Sequence, residues 1–202
     1  MKKILALVLA RKNSKRLKNK NILTLSGKPL ILWTFDILKK KNIRKLFTDI
    51  IISTDSTTIK NLSKKYGFLS PWVRPKKLSN ATASSESGAI HALNWYEKKI
   101  QSVDAIFLFQ PTSPFRSQKN IILATNLYKK RNKQIVSVCS KKTYKFNVGD
   151  INGSLYLTPT NILKKSKNFK KKGFIKINMP KFSDNIDIDS IQDMNIAKSF
   201  RK

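Results

Sequence analysis

Residues 4–21 read ILALVLARKNSKRLKNKN. Residues 4–9 are an unbroken apolar run, the pattern of a strand buried on both faces. The run empties into a loop holding Arg11, Lys12, Lys15, Arg16, Lys18 and Lys20. In open α/β sheets, ligands bind at the carboxyl ends of the strands. A dense cationic loop in that position suggests a polyanion pocket. Ordinary surface cations in a lysine-rich chain are the competing reading.

Downstream, strand-like and helix-like segments alternate. Asp49–Ser53 (DIIIS) reads as a second buried strand, and Ala105–Phe109 (AIFLF) and Ile135–Cys139 (IVSVC) as further ones. Helices are expected over residues 30–40, 56–66, 84–99 and 119–130. Pro29 stands at the first helical turn and Gly67 at the C-terminal stop of its helix. Residues 68–73 are expected as a short third strand. Residues 154–157 and 173–179 read as further strands, and residues 190–200 as a helix with a Ser190/Asp193 capping box. This order predicts an α/β fold with a mostly parallel sheet covered on both faces. No repeat or linker divides residues 1–202, so a single domain is expected.

The chain has 202 residues and a formal charge of +31, from 42 basic and 11 acidic residues. Of the basic residues, 35 are Lys and 7 are Arg. They are spread along the chain, and abundant Lys, Asn and Ile point to compositional drift, which weakens any argument from bulk charge. The lone Cys139 sits in an apolar run and reads as an inert core residue. A chain without disulfides fits a cytoplasmic location. The start MKKILALVLARK imitates a secretory leader, but its apolar run of about seven residues is minimal for that role. No run approaches the ~20 residues that span a bilayer.

Several chemistries are missing. There is no dinucleotide-binding glycine fingerprint and no P-loop motif. With six glycines in all, phosphate binding would fall largely on side-chain cations, with Arg offering a bidentate fork and Lys a point charge. One histidine gives no Ser–His–Asp constellation, and no Cys/His spacing suggests zinc. His91 reads as packing, and Asp55 or Ser56 as a helix cap. The basic run of residues 164–172 reads as solvated surface.

The acids are more informative. Asp184, Asp187, Asp189 and Asp193 fall within ten residues. In an extended segment, Asn185-Ile186-Asp187-Ile188-Asp189 puts Asp187 and Asp189 on one face. Adjacent carboxylates repel unless a cation neutralises them, and Mg²⁺ is typically held by one or two carboxylates plus substrate phosphates. Salt bridges to lysines are the alternative, but scarce acids clustered in this way favour a metal. Asp193 is better explained by the capping box, and Asp184 as a loop acid. Gln110-Pro111-Thr112-Ser113-Pro114-Phe115-Arg116 forms a polar loop after the AIFLF strand.

These motifs together resemble the acylneuraminate cytidylyltransferases, the CMP-sialic acid synthetases and their relatives for other nine-carbon acidic sugars, including legionaminate and pseudaminate. The matching pieces are residues 10–17 with Lys20-Asn21, Gly27-Lys28-Pro29-Leu30, and Ser53-Thr54-Asp55. They continue with Arg74-Pro75, Leu78, Thr82-Ala83-Ser84-Ser85, residues 108–114, Asn152-Gly153, and Ile186-Asp187-Ile188-Asp189. The resemblance implies a Rossmann-like, three-layer nucleotide-diphospho-sugar transferase fold. It implies CMP transfer from CTP to the anomeric hydroxyl of a 2-keto-3-deoxy sugar acid, with Mg²⁺ as cofactor and pyrophosphate released.

By the same resemblance, Arg11, Lys15 and Lys20 hold the triphosphate. Asn21, Arg74, Ala83 (through its backbone) and Ser85 line the cytidine site, Gln110 contacts the sugar, and Asp187 and Asp189 bind the metal. Arg11, Lys20 and Asp189 would carry the catalysis. Two departures stand out: Ala81 replaces a common Asp, and the dimerisation arm that follows the fifth strand in relatives is largely missing after about residue 140. A homodimer is thus left open. The alternatives are the same chemistry on legionaminic, pseudaminic or 3-deoxy-octulosonic acid, or a non-catalytic polyanion- or RNA-binding relative. No basic motif interleaved with aromatics favours nucleic acid.

Overall fold

The computed structural model describes residues 2–14, 16–80 and 82–200. The elements in chain order are β1 (Ile4–Ala10), β2 (Thr24–Leu25), β3 (Lys28–Pro29), α1 (Leu30–Lys39), α2 (Lys41–Arg44), β4 (Asp49–Thr54), α3 (Thr57–Lys65), α4 (Ser85–Lys99) and β5 (Ala105–Phe109). There follow α5 (Gln118–Arg131), β6 (Ile135–Cys139), β7 (Ile151–Pro159), α6 (Thr160–Ser166), β8 (Ile175–Met179) and α7 (Ile191–Ser199). Short 3-10 turns cover Lys20–Ile22, Lys76–Leu78 and Phe182–Asn185.

One six-stranded sheet runs β4-β1-β5-β7-β6-β8. β1 pairs in parallel with β4 and β5, and β6 with β8, while β7 runs antiparallel to both of its neighbours. The sheet is therefore mostly parallel, as expected. Apolar periodicity reports burial and not strand direction, so the reversal at β7 had no signal in the sequence.

Alternation along each strand builds two core layers. On one face Ile4, Ala6 and Val8 pack with Ile31 and Phe35 of α1, Ile59 of α3 and Ile121 of α5. On the other, Leu5 and Leu7 pack with Ala89, Leu93 and Tyr96 of α4 and Leu163 of α6. The result is the three-layer α/β arrangement. Among the described residues no helix is long and apolar enough to cross a membrane.

The helices start on local chemistry. Ser56 caps α3, accepting from the Ile59 N–H at 3.3 Å. Ser84 caps α4, and Ser190 with Asp193 forms the expected capping box at α7. One expected strand is corrected. Residues 68–73 make a single bridge, Ile51 to Leu69, and no ladder. The Leu69 N–H donates to Ile50 O and its carbonyl accepts from Ile52 N–H, but Pro71 lacks the next donor and ends the pairing.

A third apolar cluster fixes the acidic segment. Ile186 and Ile188 are buried with Leu25, Leu30, Met194 and Ala197. With the isoleucines turned inward, Asp187 and Asp189 face the other way, toward the carboxyl edge of the parallel strands. This is the face-sharing that the alternating sequence predicts.

Candidate active site

A crevice of about 250 Å³ opens at the carboxyl edge of β1 and β5. Arg11, Lys20 and Asn21 line it from the loop after β1, and Arg74 and Ala83 from the loop before α4. Ser85 stands at the start of that helix, Gln110 at the end of β5, and Asp187 and Asp189 close the far side. Every candidate residue that the structure describes thus lies on one cavity. Lys15 and Ala81 lie outside the described residues.

The cationic loop is pinned by its own backbone. The Asn21 amide donates to Arg11 O at 2.8 Å, and the Lys12 N–H donates to Asp55 Oδ1 at 2.6 Å. So Asp55 holds the loop while Ser56 caps the helix, which resolves the two readings of that pair. Arg11 reaches across to Asn80 O at 3.0 Å. The Asn80 side chain accepts from the Ala83 N–H at 2.8 Å, tying Ala83 to the residue that Arg11 reaches. Arg74 is almost fully buried beside it, and burial lowers its pKa. Gly88 gives it room, since a Cβ there would sit 3.2 Å from its guanidinium. The N-terminus of α4 also faces the crevice and favours anions.

The acidic side is an ion cluster. Lys20 Nζ lies 2.9 Å from Asp189 Oδ1, and Arg16 3.3 Å from its Oδ2. Lys145 Nζ lies 3.2 Å from Asp187 Oδ2, 3.2 Å from Asp189 Oδ2 and 3.4 Å from Asp193 Oδ2. Burial and the neighbouring Asp189 push the Asp187 carboxyl up, against the pull of Lys145. Burial opposes ionisation of Asp189 too, but Lys20 and Lys145 outweigh it and hold its carboxyl below the usual range. Asp193 does both jobs, closing the capping box and facing Lys145.

Three further residues that sequence reasoning left without a site role emerge. Lys145 comes from the loop between β6 and β7, where it was one lysine among many. Arg116 is buried, its Nε donating to Ser154 O at 2.6 Å and its other nitrogens to Thr34 Oγ1 and Gln110 O. Burial pushes its guanidinium down to about 9, still cationic at neutral pH. It thereby ties the Gln110 backbone to β7 and α1. Asp184 is buried and not a loop acid, accepting from the Asn120 side chain at 3.2 Å and the Ser117 N–H at the start of α5.

The Asn152-Gly153 pair is structural. The Asn152 side chain accepts from Ser137 Oγ at 2.5 Å and donates to Asn185 Oδ1 at 2.7 Å, anchoring the acidic segment to the sheet. Gly153 has φ +77°, and a Cβ would come within 3.3 Å of Gln110 Oε1. The Ile188 N–H donates to Thr112 O at 2.8 Å, joining the acidic segment to the loop after β5. Cys139 is buried, and His91 packs edge-on against Trp72.

An anion crevice at the carboxyl edge of a three-layer α/β sheet stands where proteins of this architecture bind their ligands. The family model described as cytidylyltransferase matches residues 5–174, and the chain belongs to that family. It is 29% identical to the CMP-N,N'-diacetyllegionaminic acid synthase of Legionella pneumophila over 93% of this chain and 91% of that one. It is 38% identical to the N-acylneuraminate cytidylyltransferase of Escherichia coli over 62% of this chain, but that match spans only 28% of the longer protein. A CMP:2-keto-3-deoxy-manno-octonic acid synthetase solved with CTP superposes with a TM-score of 0.67 at 10% identity, covering 98% of both chains. That likeness establishes the fold.

Proposed function

We propose that this protein transfers CMP from CTP to the anomeric hydroxyl of a nine-carbon 2-keto-3-deoxy sugar acid and releases pyrophosphate. The observation that carries the reading is the meeting of Arg11 and Lys20 with Asp187 and Asp189 in one crevice of a cytidylyltransferase fold. The Legionella relative, matched along nearly its whole length, supports a nonulosonic acid as the acceptor.

Arg11 and Lys20 bind and neutralise the triphosphate. Arg74, Asn21, Ser85 and the Ala83 backbone form the wall for cytidine. Gln110 presents an amide to the sugar, and Arg116 fixes the backbone from which that amide projects. The sugar hydroxyl attacks the α-phosphorus, the bond to the β-phosphate oxygen breaks, and pyrophosphate departs. Catalysis by these residues is positioning and charge stabilisation. No His, Cys or Tyr lines the crevice among the described residues.

The donor set fits a hard divalent cation. Two carboxylates share one face at the crevice, and a lysine ammonium already sits between them. Mg²⁺ held by Asp187 and Asp189 would neutralise phosphate oxygens and acidify the sugar hydroxyl. CTP dependence and the single cysteine are compatible with a cytoplasmic location.

The test is pyrophosphate release and product mass across sialic, legionaminic, pseudaminic and 3-deoxy-octulosonic acids. Release that needs CTP, Mg²⁺ and a nine-carbon acid together is expected, with a CMP-sugar as product. If no acid gives product, and nucleic acid binds with steep salt dependence and without regard to Asp189→Ala, the polyanion-binding alternative holds instead.

A further inference from the structure

Lys145 makes an arrangement that the proposed reaction does not call for. Its Nζ donates to the Asp187 carbonyl at 2.6 Å, and the Asp187, Asp189 and Asp193 carboxylates stand 3.2, 3.2 and 3.4 Å away. Four oxygens of one acidic segment surround one ammonium.

An ammonium and a hard divalent ion select the same environment, anionic and rich in oxygen. The nitrogen stands 3.2 Å from one oxygen of each of the Asp187 and Asp189 carboxylates, so an ion drawn to those same oxygens competes with it. The charges agree. Asp187, Asp189 and Asp193 are balanced by Lys20, Lys145 and Arg16, so a divalent ion added to the intact cluster would leave an excess of positive charge.

The loop carrying Lys145 is short and pinned. The Thr143 N–H donates to Phe146 O at 2.9 Å, and the Asn147 N–H to Asp150 Oδ2 at 2.8 Å. The flexible stem of the lysine can move its ammonium without rebuilding that loop.

We infer that Lys145 is a built-in occupant of the cation position, and that a divalent ion loads only by displacing its ammonium. This rests on the proposed assignment of Asp187 and Asp189 to a metal. Lys145 then sets the threshold for loading: it keeps the carboxylates paired in the empty protein and weakens metal binding until the ion's own affinity outcompetes it.

The experiment is Mn²⁺ binding to the full chain without nucleotide, read from the electron paramagnetic resonance of free Mn²⁺. Lys145→Met should bind about tenfold more tightly than wild type, the scale of one partly buried ion pair. Lys145→Arg, which keeps a cation, should not. Asp189→Asn should weaken binding in both backgrounds. If Lys145→Met binds no more tightly while Asp189→Asn still weakens binding, the occupant role is overturned and the metal assignment stands. If binding ignores Asp189→Asn, the metal assignment itself fails.

A second measurement uses wild-type protein and does not depend on a variant folding. Nitrogen-15 NMR of lysine ammonium groups should show the Lys145 signal protected from water exchange in metal-free protein. Mg²⁺ should abolish that protection. Protection that survives saturating Mg²⁺ overturns the inference.

Discussion

The two ends of the sheet both carry a crevice lined by lysine and aspartate, and the larger is at the wrong end. The amino-end crevice is about 450 Å³, lined by Lys2, Lys3, Ser102, Asp104, Asn132 and Thr160 among others. The carboxyl-end crevice is about 250 Å³. What separates them is the state of their charges. Lys2 and Asp104 lie 3.6 Å apart with side chains 38% and 39% exposed, so water screens the pair. Lys20 and Asp189 are 11% and 26% exposed and lie 169 residues apart in sequence. Drawing charges out of water is costly, and the chain concentrates that cost where three of its few acids meet three cations. Partly desolvated, long-range charge marks the candidate site better than volume does.

The sharpest way to break this contrast is to remove charge at each end. Asp189→Ala should lower CMP-sugar formation by about 1000-fold or more, the scale of losing a principal transition-state stabiliser. Arg11→Met should follow at about 100-fold in kcat/KM, with the melting temperature nearly unchanged. Asp104→Asn at the amino end should leave turnover at the wild-type value and cost under ~1 kcal/mol of stability. Steady-state kinetics and thermal melts on the three proteins decide the matter. Equal losses at the two ends would show that charge placement does not distinguish them.

Arg116 sharpens the contrast from beneath the site. Arg116→Met would take a donor from the Ser154 carbonyl and the Thr34 hydroxyl and leave the Gln110 carbonyl with the Ser113 N–H alone, at 3.2 Å. Unpaired buried acceptors cost ~1–3 kcal/mol each, so a stability loss of at least ~2 kcal/mol is expected. With Gln110 loosened, KM for the sugar acid should rise while KM for CTP stays near its original value. Equal rises in both constants would mean that Arg116 supports the whole crevice and not the Gln110 side alone.

What was legible in the sequence follows from which signals were local. Continuous apolar runs gave the parallel strands, and Ser56, Ser84 and Ser190 marked helix starts by side-chain chemistry that needs no tertiary context. Asp187 and Asp189 were legible because acids are scarce and Ile186 and Ile188 fix their facing. The direction of β7 was not legible, because alternation is the same in either direction. Nor was Lys145, since a single functional lysine carries no compositional signal in a chain with 35 of them. Arg116 ended a recognisable motif, but its partners lie on β7 and α1, and only the folded chain joins them. Residues 68–73 misled because apolar content outweighed Pro71 in the reading.

The smallest expected effect lies at the quiet end of the sheet, where Tyr96 of α4 donates its hydroxyl to Asp49 at the start of β4. Burial and then the Asp49 carboxylate push its pKa up to about 12. The unfolded chain releases this proton near pH ~10, the ordinary tyrosine value. Between about 10 and 12 the unfolded state is therefore ionised while the folded state is not. The stabilisation Tyr96 provides is complete below pH 10 and is lost as pH rises through that window. Tyr96→Phe should cost ~1 kcal/mol at neutral pH through the missing hydrogen bond, and should flatten the alkaline fall in stability. Denaturant titrations from pH 8 to 12 read both effects. Because α4 begins at the crevice and Tyr96 lies near its far end, KM for CTP should not move. A shift in that constant would mean that the helix transmits strain along its length and that the two ends of the sheet are mechanically one.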